Sequence, residues 1–100
     1  MTTIDEAQVL DALTAVIDPE LGLDIVSLGL VYGVQITPDE VRVIHTLTSP
    51  GCPMADQIAH AIVAETSQLC PDQRVQPVLV FTPRWGLDRI SAEAKFALGL

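Results

Sequence analysis

What this sequence has least of is metal-binding spacing. Its 100 residues include two cysteines and two histidines, with no Cys-x-x-Cys pair, no zinc-finger spacing and no His-Glu-x-x-His run. A self-sufficient four-ligand metal site is therefore not written in it. Bases are scarce too: five Lys and Arg against thirteen Asp and Glu give a formal charge of −8. Such a surface repels phosphate and argues against a nucleic-acid partner. No apolar run approaches the roughly 20 residues that cross a bilayer, and the basic, apolar and small-residue zones of a signal peptide are missing. The expectation is a cytoplasmic chain with no membrane role and with reduced thiols rather than a disulfide framework. Repeats, low-complexity tracts and linkers are absent as well. With 49% hydrophobic residues, residues 1–100 form one domain that buries roughly 60–70% of its unfolded surface.

The charge that is present is unevenly spread. Residues 1–73 hold eleven acids and only Arg42, whereas residues 74–100 hold Arg74, Arg84, Arg89 and Lys95 against Asp88 and Glu93. The acidic part either concentrates metal cations, meets a basic protein surface, or simply keeps the domain soluble.

Thr3-Ile4-Asp5-Glu6 reads as a capping box, and Val9, Leu13, Val16 and Ile17 recur at helical spacing, which predicts a helix over Ile4–Ile17. Pro19 and Gly22 then make residues 18–27 an irregular loop. Leu30, Tyr32, Val34 and Ile36 alternate, Pro38-Asp39 supplies a turn, and Val41, Val43, His45 and Leu47 alternate again. This is a hairpin whose apolar face needs a covering helix. Pro53–Leu69 provides it, with Ala55, Ile58, Ala59, Ile62, Val63 and Leu69 on one stripe. Val75–Phe81 reads as a third strand, at an edge or bulge because of Pro77. A turn at 83–86 leads to a short helix over Ser91–Leu98, closed by Gly99. The order α-β-β-α-β-α predicts an α+β two-layer sandwich, with helices packed on a small three-stranded mixed sheet. The second and third strands should run parallel, their adjacency being undecided.

Thr48-Ser49-Pro50-Gly51-Cys52-Pro53 places a thiol where a strand passes into a helix. Proline is favoured at the first helical position, so Cys52 is the natural N-cap, with unpaired amides aimed at its sulfur. A free cysteine titrates near ~8.5, and helix N-termini lower this to roughly 3.5–7.5. Asp56, a turn further on, opposes the effect. A soft thiolate suits iron or zinc; the alternative is that Pro-Gly-Cys-Pro is only a tight turn. Cys70 lies eighteen residues on, at the far end of the same helix. At 1.5 Å per residue that is about 27 Å, beyond the roughly 7 Å a disulfide allows and too far to share a metal. Cys70 reads as a small apolar residue at a helix end whose dipole opposes a thiolate. Cargo held by Cys52 must then borrow ligands from a second chain, a partner, a small thiol or nearby oxygen and nitrogen donors, which favours transient carriage. His45 sits in the apolar phase of its strand, as a core residue or a weak candidate ligand. Asp18 and Glu20 are turn formers or hard oxygen ligands.

Asp18-Pro19-Glu20, Ile25-Val26-Ser27-Leu28-Gly29-Leu30-Val31, Thr46 to Pro53, Pro83-Arg84-Trp85 and Leu98-Gly99-Leu100 together resemble the SufT/PaaD-like metal–sulfur cluster assembly domain family over nearly the whole chain. The resemblance implies a small α+β domain engaged in iron–sulfur protein maturation, with Cys52 as the functional thiol and Asp18, Glu20 and Thr48 as its neighbours. His45 stands where the family usually has an apolar residue, and Gly86 where a serine often follows the tryptophan. The cysteine-rich C-terminal region of PaaD proteins is missing, which favours a general maturation role over assembly of a phenylacetate-ring oxygenase. There is no Gly-x-x-x-x-Gly-Lys loop, so any ATP chemistry belongs to a partner.

Three functions follow. The first is an assembly factor rather than an enzyme, carrying iron or an iron–sulfur cluster transiently at Cys52 for other assembly proteins and recipient apoproteins, with a homodimer as one way to double the ligand count. The second is an adaptor with no bound metal that docks those same partners. The third, a thiol redox protein, lacks a resolving cysteine within reach. Trp85 either packs over the core or marks a docking surface.

Overall fold

The computed structural model describes residues 4–48 and 55–99. Its elements are α1 (Glu6–Leu13), β1 (Val31–Ile36), β2 (Glu40–His45), α2 (Ala55–Ser67), β3 (Arg74–Leu79), a 3₁₀ turn (Leu87–Arg89) and α3 (Ala92–Leu98). The expected order and the three-stranded mixed sheet are both observed. The strand order is β1-β2-β3, with β1 antiparallel and β3 parallel to β2, which settles the adjacency that the sequence leaves undecided.

The first helix is shorter than expected and is capped two residues later. Asp5, not Thr3, is the N-cap: its carboxylate accepts from the Gln8 amide at 2.9 Å while the Gln8 side chain accepts from the Asp5 amide at 2.9 Å. Thr3 lies outside the described residues. The helix ends at Leu13, where Thr14 donates its hydroxyl back to the Asp11 carbonyl at 2.6 Å. Val16 stays in the core, but Ile17, expected on the same stripe, is 50% exposed, because the chain has left the helix and bridges to Asp24.

The hairpin has the expected alternation, interrupted by a bulge between Val31 and Gly33 that leaves Tyr32 as the extra residue. Val41, Val43 and His45 face the core from β2. Against them pack Ile58, Ile62 and Thr66 of α2 and Val9 and Leu13 of α1. Leu69, expected on the covering stripe, is 37% exposed. With the helix finished at Ser67, the i, i+4 series from Ile58 runs through Ile62 to Thr66, and a threonine takes the buried place. Pro53, the expected first residue of α2, lies outside the described residues. β3 is an edge strand, as Pro77 suggests. The Arg74 amide donates to Asp39 O at 3.0 Å and the Val80 amide to His45 O at 2.9 Å. Amides of the even-numbered residues therefore face β2, and Pro77 falls in the outward row, where a missing N–H costs no ladder bond.

The C-terminal segment folds back over residues 24–32. The Trp85 indole donates to the Leu28 carbonyl at 2.7 Å, and its half-buried ring packs on the core, which answers the core-or-surface alternative in favour of the core. The Ser91 amide donates to Ser27 O at 2.8 Å. Ser91 also caps α3, and Gly99 closes it in the left-handed conformation. Gly86, standing where a serine is expected, leaves the 3₁₀ turn without a side-chain cap. Gly29 has φ +71°, and a Cβ built there would lie 2.1 Å from the Arg89 carbonyl oxygen, so both its handedness and its missing side chain are required.

His45 is 2% exposed and its Nδ1 has no hydrogen-bond partner among the described residues. Burial lowers its pKa from 6.5, partly offset by the Thr46 backbone. The unfolded state thus takes up a proton before the native state does, so stability falls as pH drops below 6.5. Wild type should lose up to about 1.4 kcal/mol per pH unit in that window relative to His45→Leu, measured by urea denaturation between pH 7 and 5.5. Gly29→Ala should cost at least about 3 kcal/mol in the same assay. Gly22→Ala, with φ +71° but nothing within 4 Å, should cost only the ~1–2 kcal/mol of a left-handed L residue.

Candidate functional site

β2 ends at His45, and a relay of backbone bonds links the residue after it to the irregular loop and on to the end of α1. Thr46 N donates to Leu30 O at 2.8 Å, Leu30 N to Ile25 O at 2.9 Å, and Ile25 N to Val16 O at 3.0 Å. Asp18 is held within this chain of contacts, its amide donating to Leu23 O at 2.8 Å and its carbonyl accepting from Gly22 N at 2.8 Å. The segment that holds Asp18 and the one that leads to Thr48 are thus linked through Leu30. Cys52 itself, and with it the expected N-cap geometry, lies outside the described residues.

Asp18 is 1% exposed. Its Oδ1 accepts from the amides of Glu20 at 2.8 Å and Leu21 at 3.3 Å. Pro19, with no N–H, leaves these two amides to converge on the carboxylate. One oxygen thus acts as a turn former. The other, Oδ2, is buried with no hydrogen-bond partner among the described residues, and a polar atom left unmatched in the interior costs about 1–3 kcal/mol. Glu20 is exposed, and Thr48 is half-buried. His45 is a wall of the core at the end of β2, aligned with Val31 and Leu79 on its two neighbours. Among the described residues no three His, Cys, Asp or Glu side chains gather to hold a metal ion.

Cys70 is buried, donates its thiol hydrogen to Thr66 O at 3.3 Å, and has its pKa raised by burial. This is the inert thiol expected of a small apolar residue. No helix among the described residues is long and apolar enough to cross a membrane.

Beside the same loop is a cavity of about 350 Å³ lined by Gly29, Val31, Tyr32, Pro83 and Arg89. The Tyr32 hydroxyl donates to Pro83 O at 2.8 Å, and the Arg89 guanidinium carbon lies 4.6 Å from the centre of the Tyr32 ring. Sequence reading singled out neither Tyr32 nor Arg89. They are joined only by the return of the C-terminal segment, and the one local signal is that a tyrosine sits in a strand bulge.

Comparison with known proteins agrees with this architecture. The family described as iron–sulfur cluster assembly protein matches residues 6–78. The chain is 44% identical over 86 residues to the Fe-S protein maturation auxiliary factor SufT of Staphylococcus aureus, covering 85% of this chain and 98% of that protein. It is 41% identical over 93 residues to the Fe-S protein maturation auxiliary factor YitW of Bacillus subtilis, covering 92% and 91% respectively. A crystal structure of a domain of unknown function, DUF59, from Bacillus anthracis superposes with a TM-score of 0.89 at 42% identity over 95% of this chain and 92% of that one. With the same fold, the match across the loop, hairpin and covering helix, and this identity over nearly full-length relatives, the chain belongs to the iron–sulfur cluster assembly protein family.

Proposed function

We propose that this chain serves iron–sulfur protein maturation as a non-catalytic cytoplasmic factor. It holds iron or a nascent cluster transiently as cargo and passes it to recipient apoproteins. Cys52 is the soft ligand, its thiol proton leaving to solvent as iron binds. Asp18 Oδ2 is the hard oxygen donor, with Glu20 and Thr48 at the rim. The observation that carries this reading is the unmatched carboxylate oxygen of Asp18, held by its own loop, which is linked through Leu30 to the segment that leads to Thr48. A single thiolate and a single carboxylate make an incomplete coordination shell. That suits a hand-over rather than storage, the remaining ligands coming from a small thiol, a partner or a second copy.

A second reading is favoured by a separate observation. Leu79, in register with His45 at the end of β3, and Phe81 just beyond it are exposed by 41% and 45%, and Ile17, where the chain leaves α1, by 50%. An adaptor that docks assembly proteins or recipients through these side chains needs no metal.

Anaerobic reconstitution with iron and sulfide separates the two. Wild type and Cys70→Ser should take up stoichiometric iron with visible absorbance, and Cys52→Ser should not. Asp18→Asn keeps an oxygen to accept from Glu20 and Leu21 but loses the charged donor, so it should fold normally and retain iron roughly tenfold less well. Uptake that persists in Cys52→Ser refutes the carrier. Recipient binding unchanged in Cys52→Ser, with no uptake by any variant, establishes the adaptor.

A further inference from the structure

We infer that the cavity beside Gly29 is a binding site for a small organic carboxylate, with Arg89 as its anchoring residue. The inference does not depend on the cargo reading. It is a pocket open to the surface, with Pro83 and Arg89 of its lining exposed, and its volume of about 350 Å³ is at the low end of the roughly 300–1,000 Å³ of small-molecule sites.

The chemistry follows from what each lining group has left to offer. Tyr32 has spent its hydroxyl hydrogen on the Pro83 carbonyl, and the Gly29 amide is bonded to Val26 O. Val31, Pro83 and the Tyr32 ring supply apolar wall. The exposed Arg89 guanidinium is the cationic group of the lining, and no carboxylate among the described residues pairs with it. The ion pair present there joins Arg42 to Glu40 instead.

Two features set Arg89 in place before any ligand arrives. Its guanidinium lies over the Tyr32 ring at 4.6 Å, an attraction between cation and π-face that limits rotation of a long side chain. Its backbone is seated against Gly29, where no Cβ could intrude. A planar fork held this way loses less freedom on forming two parallel bonds to a carboxylate than a mobile arginine would. The surrounding sign also fits, since residues 74–100 carry four bases against two acids in a chain that is otherwise strongly acidic.

One guanidinium facing apolar walls suits a monoanion on an apolar body. A phosphate dianion is best held by several cationic groups and this lining has one, while a neutral molecule gains nothing from its charge. The class is therefore a short aliphatic or aromatic carboxylic acid in its ionised form.

The test uses the full-length ¹⁵N-labelled chain titrated at pH 7 with cyclohexanecarboxylate, with cyclohexanecarboxamide and with inorganic phosphate at matched ionic strength. The carboxylate should shift the amides of Gly29, Val31, Tyr32 and Arg89 saturably and change the fluorescence of Trp85, which is hydrogen-bonded to the adjoining Leu28. Carboxamide and phosphate should leave those amides unmoved. Arg89→Met should weaken carboxylate binding at least about tenfold, the worth of a charge-assisted pair, and Arg89→Lys should recover only part of it. No saturable shift at these amides overturns the inference. So does an equal response to carboxamide or phosphate, or binding unchanged in Arg89→Met. Because carboxylate and carboxamide are compared on the wild-type chain, the result stands even if a variant folds poorly.

Discussion

The architecture depends on a loop that behaves as core. Ile25, Leu28 and Leu30 are fully buried, yet they belong to no helix or strand apart from their link to β1. A buried irregular segment survives only if its backbone polar groups are matched, and here they are matched on two sides. Leu30 donates to Ile25 O and accepts from Thr46 N toward the sheet. Toward the C-terminal segment, Leu28 O accepts from Trp85 and Ser27 O from Ser91 N. Inside the loop, Asp24 accepts from the Ser27 amide at 2.9 Å. Gly29 lets the two sides close by removing the one atom that would strike Arg89. The loop thus joins two layers that would otherwise meet through side chains alone.

Among the described residues the buried side-chain atoms without a hydrogen-bond partner are Asp18 Oδ2, His45 Nδ1 and Thr66 Oγ1. Proteins depart from full polar matching mainly where function asks for it. Of these three, Asp18 offers a charged oxygen, and Arg89, exposed beside the pocket, offers the opposite charge, so the two suit different ligands.

Much of this was legible in the chain because it is local. Period-two alternation located both strands, the 3.6-residue stripe located α2, and Pro77 marked the edge. The cap of α1 was misread because two boxes overlap, Thr3 with Glu6 and Asp5 with Gln8. Only the second is engaged among the described residues, and both spellings satisfy the same rule. Thr66 escaped notice because polarity hides a core position that the i, i+4 step from Ile62 would have given. The Asp18 turn was legible as a turn; that one of its oxygens would be used and the other left over was not, since that depends on how the loop is covered. Trp85 meeting Leu28, 57 residues earlier, and Arg89 meeting Tyr32 are consequences of chain return, which no local pattern encodes.

The sheet edges restrict how partners can approach. Strand addition needs an unbroken row of free amides and carbonyls. β3 has Pro77 in the middle of its outward row, and β1 is interrupted by the bulge at Val31 and Gly33, so neither edge offers a clean ladder to a second copy or a client strand. What the described residues offer instead is exposed apolar side chains, Leu87 and Phe96 of the C-terminal segment among them. Ile17 projects from the loop, Leu79 from the end of β3 in register with His45, and Phe81 follows it. Under the proposed function, carriage and docking would draw on different atoms. A carboxylate and a thiol would hold the cargo, while aliphatic and aromatic side chains would meet the recipient. The readings separate because the two sets do not overlap: altering Asp18 or Cys52 leaves the apolar rim intact, and altering Ile17 or Phe81 leaves the ligands in place. If hand-over is the function, both sets are needed in succession, and loss of the rim would trap cargo on a chain that still binds it.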